Sequence, residues 1–417
     1  MKVALTLPLC RFQRAALIVL GMFAGAVGEA QTLGKAVLYA AVGAELTQYD
    51  VDIKDATLIK RGSVTLPDSV QYAWPHPSRR FIYVAWSNGS GRDHHGVSAF
   101  RIDSTSGALS PHGNQVPLPA RPIHLSTDIP GTHLLVAYNE PSGLTVRPIG
   151  ADGIIGSQIK LSASLDFGIY AHQIRVDPSN RMVILVTRGN GPTAGKPGDP
   201  GALKVFSYWD GLLTNRASIA PGGGLGFQPR HLDFHPSGPW VFVSLERQNK
   251  IEVYKKLTDG TLSSEPLFIK DSLADPGNVR ASQVAGTVHV HPNGRFVYQA
   301  NRASGTMGQA ADGGGENTIA VYAINQQTGE PTRIQNIDTR AMTPRTFALD
   351  AGGRILVAAD QNAMTVRDGD HINTLPASLA VYRVRDDGRL DFARKYDIET
   401  AGARSLFWMG LVSLPPQ

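Results

Sequence analysis

Residues 228–245 read Gln228-Pro229-Arg230-His231-Leu232-Asp233-Phe234-His235-Pro236-Ser237-Gly238-Pro239-Trp240-Val241-Phe242-Val243-Ser244-Leu245. A strand whose apolar residues alternate at Leu232 and Phe234 runs into a turn and returns as a second apolar strand. Proline presets φ at the second turn position, and the small polar residues after it tolerate left-handed geometry, so turn chemistry makes the stretch a hairpin. The pattern occurs six times, turning at His76-Pro77-Ser78-Arg79, Ile129-Pro130-Gly131-Thr132, Asp177-Pro178-Ser179-Asn180, His235-Pro236-Ser237-Gly238, His291-Pro292-Asn293-Gly294 and Asp350-Ala351-Gly352-Gly353. Successive turns start 53, 48, 58, 56 and 59 residues apart. Outer strands such as Ile251 to Tyr254, Ile319 to Ile324 and Leu379 to Val384 follow, with turns such as Asp259-Gly260, Thr328-Gly329 and Asp387-Gly388. Four short antiparallel strands at this period describe the blade of a β-propeller, whose radial packing leaves only short, protected edges.

Six repeats account for residues 71 to 400, and what remains is Val37 to Val42, Leu46 to Asp52 and the C-terminal run Leu406 to Leu414. Joined, these are expected to form a seventh blade closed by N- and C-terminal strands, giving one all-β domain over 31–417. The composition agrees: 42% hydrophobic and 18% charged residues with 44 glycines and 27 prolines suit many strands and turns and exclude a coiled coil. Lys and Arg are scattered and the net charge is +5, so no nucleic-acid partner is expected.

Residues 1–30 read as a secretory signal peptide, with Lys2, Arg11 and Arg14 ahead of the apolar run Ala15 to Val27 and the small-x-small site Gly28-Glu29-Ala30. The run is shorter than the roughly 20 apolar residues that a spanning helix needs. Cleavage after Ala30 removes three positive charges and one negative, taking the net charge from +5 to +3, and removes Cys10, the single cysteine. The mature chain is therefore expected to be exported, periplasmic or secreted, free of disulfides and thiolate chemistry, monomeric and not held at a membrane.

Numbering each repeat from its turn start brings rotationally equivalent residues into register. Five positions before the turn lie Gln71, His124, His172, Arg230, Gly286 and Arg345, with Arg404 aligned from the C-terminal strand. Eleven positions after it lie Ser87, Glu140, Arg188, Glu246, Arg302 and Gln361. Both positions are expected at the open end of each hairpin, around one mouth of the central channel. So many cationic and imidazole groups in one place are costly unless paired or solvated, which points to an anion site; the competing reading is strand-end residues lying in water. The long connections 189–200, 221–227, 271–285, 303–316 and 362–376 are assigned to the same end, where binding usually resides.

At these residues the chain resembles the lactonase family of seven-bladed propellers, which includes propeller-type 6-phosphogluconolactonases and fungal carboxymuconate cyclase. The resemblance is carried over the whole mature chain by Pro122-Ile123-His124-Leu125-Ser126-Thr127-Asp128, Ala171-His172-Gln173, residues 228–236, Leu245-Glu246, His289-Val290-His291-Pro292-Asn293-Gly294-Arg295, Asn301-Arg302 and Thr343-Pro344-Arg345. It implies a catalytic group of His172, Arg230, Glu246 and Arg302, with His124, His231, Arg345, Gln361 and Arg188 as further substrate contacts, acting on a small anionic, sugar-acid lactone without metal or organic cofactor. The export signal and the longer loops depart from the family pattern.

Opening a lactone with water needs a base for the water, donors for the oxyanion and an acid for the leaving alkoxide. His172 or Glu246 supplies the base, with the other as acid or orienter, and Arg230 and Arg302 clamp a substrate carboxylate or phosphate and developing negative charge. Glu246 among arginines ionises easily, so His172 suits proton transfer near neutral pH better. The same set could cyclise an unsaturated diacid, and a non-catalytic exported propeller could use the cationic mouth to hold a ligand or protein partner. A calcium-dependent lactonase would need clustered carboxylates, which the two rings lack. No Gly-x-Ser-x-Gly elbow is present, and the glycine runs 222–224 and 313–315 precede no amphipathic helix. His76, His235 and His291 read as turn caps; His289, which shares a strand face with His291, reads as a core histidine; His94 and His95 read as solvated loop; Trp74, Trp86, Trp240 and Trp408 read as blade core.

Overall fold

The structure, a computed structural model, describes residue 1 and residues 35–280, 282–303, 311–312, 315–400, 402 and 404–415. The expected signal peptide, its cleavage site and Cys10 lie outside them. Residues Leu33–Gln417 form one compact unit.

Blade 1 pairs Ser69–Pro75, Phe81–Ser87, His95–Ile102 and Leu109–Pro117 in order, and blade 3 pairs Ala171–Val176, Met182–Thr187, Ala202–Trp209 and Leu212–Ile219. Blade 4 follows with Pro229–Phe234, Trp240–Leu245, Lys250–Lys255 and Phe268–Asp271. Blade 5 has Val284–Val290, Phe296–Arg302, Thr318–Ile324 and Pro331–Asp338, and blade 6 has Pro344–Leu349, Ile355–Asp360, Ala377–Val384 and Leu390–Ile398. Blade 7 is closed as expected: Leu406–Ser413 is its first strand and pairs antiparallel with Ala36–Val42, which leads to Glu45–Asp52 and Thr57–Thr65. The first strands of successive blades neighbour one another in a closed ring. Apolar side chains between adjacent blades, such as Tyr39, Ile82, Val84 and Trp408 or Val186, Leu232, Val243 and Tyr254, form the core.

Two expectations need correction. Blade 2 has three strands, Pro122–Thr127, His133–Asn139 and Ser142–Pro148; the segment after it holds the outer edge through Gly156 N to Pro148 O and Ile159 N to Val146 O, both 2.8 Å. The connection 362–376 is a hairpin of Met364–Asp368 and His371–Leu375, joined in parallel by Ala311–Asp312 from the 303–316 connection.

The turn-start residues do cap. Asp128, Asp177 and Asp350 accept backbone N–H groups of their own turns, while His76, His235 and His291 reach the carbonyls of Gly131, Gly294 and Gly353 in the next blade at 2.8–2.9 Å. Gly353 sits at φ +66°, and a Cβ there would run into the His291 ring. Gly353→Ala is therefore expected to destabilise the protein by about 1–3 kcal/mol through backbone strain and a lost interblade contact. Urea unfolding midpoints would check this, and an unchanged midpoint would refute it.

Candidate active site at one mouth of the channel

Every first strand carries a register break at its start, between Val70 and Tyr72, Pro122 and His124, Ala171 and Gln173, Pro229 and His231, Ala285 and Val288, Pro344 and Thr346, and opposite Ala41/Val42 in blade 7. Such bulges leave a residue unpaired and re-aim its side chain. The residues released are Gln71, Ile123, His172, Arg230, Gly286 together with Thr287, Arg345 and Phe407. Blade 2 is thus out of register with the sequence alignment by one residue: its turn begins at Asp128, whose N–H takes the carbonyl of His133 as the other turn starts do with theirs. Ile123 and Asn139 take the places assigned to His124 and Glu140, and Phe407 that of Arg404. Glu140 and Arg404 are exposed and belong to neither ring.

His124 belongs instead to the next position, a ring of Tyr72, His124, Gln173, His231, Thr287, Thr346 and Trp408. Aromatic rings pack around it: Tyr72 on His124 at 4.0 Å, His124 on His231 at 6.0 Å and His172 on His231 at 5.2 Å between centroids. Two residues deeper, Arg175 pairs with Asp233 at 3.0 Å and lies over Trp74 at 5.1 Å, with His289 3.6 Å from Asp233. Trp74 lies under Arg175 on the channel side, partly buried against the core, whereas Trp86, Trp240 and Trp408 stay with the interblade clusters as expected. The period-two phase opposite Leu232 and Phe234 carried this signal, in pairs such as His231/Asp233 and Thr287/His289.

The second ring sits where the second strands end. Glu246 is fixed by its own backbone, with its N–H on Gln228 O at 2.9 Å and its carbonyl accepting Ala285 N–H at 2.7 Å, joining blades 4 and 5. Its carboxylate meets three guanidiniums: Arg302 Nη2 at 2.5 Å, Arg188 Nη1 at 3.1 Å and Arg230 Nε at 3.3 Å. Burial pushes the Glu246 carboxyl up, but Arg302, Arg230 and Arg188 outweigh it and hold the group below its ordinary 4.5. Arg230 is 1% exposed, its Nη1 has no partner, and its Nε approach to Glu246 lacks hydrogen-bond geometry. Arg345 stacks on Phe407 at 3.7 Å and donates to its carbonyl at 3.1 Å. Arg188 lies over Tyr170 at 3.9 Å. Gln361, half-buried, joins blade 6 to blade 7 through its carbonyl.

The structure thus brings His172, Arg230, Glu246 and Arg302 to one mouth with Arg188 and Arg345. One carboxylate faces a surplus of guanidiniums, so the pocket favours an anion. His172 is 7% exposed, and its Nδ1 is buried without a partner. Burial first, then Arg230, Arg345, Arg188 and Arg302, push its pKa well below 6.5, so the ring is neutral at pH 7. His124 and His231 are likewise depressed, by burial first and then by neighbouring cations. The His231 Nδ1 meets Thr287 Oγ1 at 3.2 Å, whereas both His124 nitrogens lack a partner. His95 departs from the solvated-loop reading: it is buried in blade 1, bonded to Ser87 Oγ at 2.8 Å and Arg92 O at 2.7 Å, whereas His94 stays exposed beside Asp68. Among the described residues no three His, Cys, Asp or Glu side chains come together as a metal cage.

These shifts set a pH dependence of folding. Groups depressed in the fold bind their protons only on unfolding, so the three imidazoles stabilise the fold above pH 6.5 and lose that contribution as pH falls. Asp360, buried with Thr339 Oγ1 at 2.8 Å and Ser378 Oγ at 3.0 Å, is raised by burial to about 8 and opposes them, its contribution being lost as pH rises towards 8. Well below the histidine range unfolding takes up more protons at these imidazoles, and at the similarly depressed His235, than Asp360 releases, so stability is expected to fall as pH drops. Above pH 6.5 Asp360 favours the fold less as pH rises, and Asp360→Asn should remove that contribution to the decline. Urea titrations at stepped pH read both limbs; a flat profile between pH 6 and 5 would contradict the assignment.

A ring of seven blades with an arginine-rich mouth and a neutral imidazole defines the class. The seven-bladed β-propeller lactonase family model matches residues 32–368, and the chain belongs to that family. It is 27% identical over 303 residues to the 6-phosphogluconolactonase of Bacillus subtilis, covering 69% of this chain and 78% of that one. It is 28% identical over 306 residues to the 6-phosphogluconolactonase of Pectobacterium carotovorum, covering 73% and 81%. Among solved structures, the periplasmic gluconolactonase of Pseudomonas aeruginosa superposes with a TM-score of 0.67 at 20% identity, covering 91% of this chain and all of that one. A protein from Lactobacillus plantarum does so at 0.68 and 21%, covering 91% and 98%.

Proposed function

We propose that this protein hydrolyses a small anionic sugar-acid lactone, with His172 as general base and Arg230, Arg302 and Arg345 as the anion clamp. The observation that carries the reading is the unpaired, buried Arg230 Nη1 beside a neutral, unpartnered His172 at a mouth with more guanidiniums than carboxylates. A neutral imidazole can take a proton from water, and an anionic ligand offsets the surrounding positive charge that depresses its basicity. Glu246, ionised and held by three arginines, then orients the guanidiniums and takes no proton. The names of the curated relatives support a lactone substrate.

The N-terminal pattern of residues 1–30 supports an exported, periplasmic or secreted, mature chain. An exported location argues against phosphogluconolactone, which is cytosolic, and favours a sugar lactone whose negative charge is a free carboxylate. The mature protein is taken as a monomer needing no cofactor. The test is hydrolysis by purified mature protein, followed with a pH indicator over aldonolactones, carboxylated sugar lactones and phosphorylated lactones, with chelator in parallel. Chelator-resistant turnover is the expected result. Inactivity on every lactone would leave the cationic mouth as a binding site, and activity abolished by chelator would refute the metal-free scheme.

A further inference from the structure

The hydrolysis scheme has a base and an anion clamp but no acid. Glu246 is ionised and enclosed by Arg302, Arg188 and Arg230. His172 starts without the extra proton. The alkoxide that leaves when a lactone opens is a far stronger base than a phenolate, so an unassisted departure is slow. A donor is needed near the clamp.

Tyr72 stands in the right place. It lies one residue beyond the bulge of blade 1, in the same ring as His124 and His231, with its ring packed on His124 at 4.0 Å and on Trp408 at 6.1 Å. These contacts fix the ring, while the residue stays partly exposed where the channel runs. The phenol makes no hydrogen bond to any described residue, unlike the buried Tyr39, Tyr83, Tyr138, Tyr208, Tyr254, Tyr298, Tyr322 and Tyr382 hydroxyls, each of which has a partner. The charges that bear on it come from Arg175 and Asp233 below and from Arg230 and Arg345 at the mouth, the three guanidiniums favouring a phenolate and Asp233 opposing it. A phenolate formed there faces the guanidiniums that hold the substrate. Burial pushes the phenol to about 12, against the lowering effect of those arginines, so the proton is present at neutral pH.

We propose that Tyr72 is the catalytic acid of this site, donating its phenolic proton to the leaving ring oxygen. Water attacks the carbonyl carbon as His172 takes its proton; the bond from carbonyl carbon to ring oxygen breaks, and that oxygen takes the Tyr72 proton. The imidazolium returns its proton to the phenolate through solvent, leaving a hydroxy acid as the net product of lactone and water. The assignment rests on the lactonase reading above.

Tyr72→Phe tests it, because the substitution removes only a hydroxyl that bonds to nothing in the fold. On glucaro-1,4-lactone, a sugar lactone that keeps a free carboxylate, kcat is expected to fall about a hundredfold with KM within about twofold. On dihydrocoumarin, whose leaving group is itself a phenolate, kcat should change by less than about threefold. Parallel losses on both lactones, an effect carried by KM, or unchanged kcat would each overturn Tyr72 as the acid while the lactonase reading stands. Should the channel refuse the aryl lactone, the kcat-against-KM split on the sugar lactone decides alone. A wild-type protein inactive on every aldonolactone, carboxylated sugar lactone and phosphorylated lactone would overturn the lactonase reading, and the role of Tyr72 with it.

Discussion

Replacing His172 by alanine is expected to lower kcat for lactone hydrolysis by about 10²–10⁴-fold, the range lost with a positioned general base. Its buried Nδ1 has no partner, so the change breaks no hydrogen bond at that atom, and the fold should survive it. Burial and four arginines depress the imidazole, which puts the acid limb of kcat/KM below pH 6.5. Removing a cation must relax that depression. Arg345→Met should therefore move the limb upward in pH, while weakening the binding of anionic lactones. A limb at or above 6.5 in the parent protein, or one that stays in place in the variant, would contradict a basic role for His172. Retention of full activity in His172→Ala would end it.

Glu246→Gln is expected to act on stability first. The carboxylate is the shared partner of Arg302, Arg188 and Arg230, all at the junction of blades 3, 4 and 5. Removing one side of a buried ion-pair network leaves the other uncompensated, which costs about 3–5 kcal/mol. The sign with pH follows: a carboxyl held below its ordinary 4.5 contributes stability above that pH, lost as pH falls through its native value. In the glutamine variant this part of acid unfolding disappears. The bare guanidiniums should also recruit anions, so inorganic phosphate is expected to restore part of the lost stability by binding the native state alone. Urea midpoints in chloride and in phosphate measure both effects. An unchanged midpoint in chloride would mean that Arg302 and Arg188 find other partners.

The blade count was legible because turn chemistry repeats: Pro-Ser-Gly, Pro-Asn-Gly and their variants punctuate the chain at near-equal intervals. The same signal misled in blade 2, where Pro130-Gly131 drew the register one residue past Asp128, the true cap. Nothing in composition marked the error, since Ile123-His124 and Asn139-Glu140 read equally well in either frame. The bulges that turn His172 and Arg230 out of the ladder are a backbone event produced by packing seven inner strands around an axis, which no local pattern encodes. His172, Arg230, Glu246 and Arg302 could be picked out because charge stands out in an apolar strand. Tyr72 could not, because an aromatic residue in a strand looks like core until the ring of blades shows which face meets the channel.

The pairing of Leu406–Ser413 with Ala36–Val42 sets the order in which the molecule can be made. Ala36 faces Ser413 across that ladder, a separation of almost the whole chain, and such contacts slow folding because distant segments must meet before the pairing is rewarded. Blades 1 to 6 can form as their hairpins emerge, each from local sequence. The annulus stays open until residue 413 has left the ribosome, with the flank of blade 1 that will receive Trp408 uncovered until then. The ring therefore closes last, whereas the Glu246 junction of blades 3, 4 and 5 can assemble from segments made earlier.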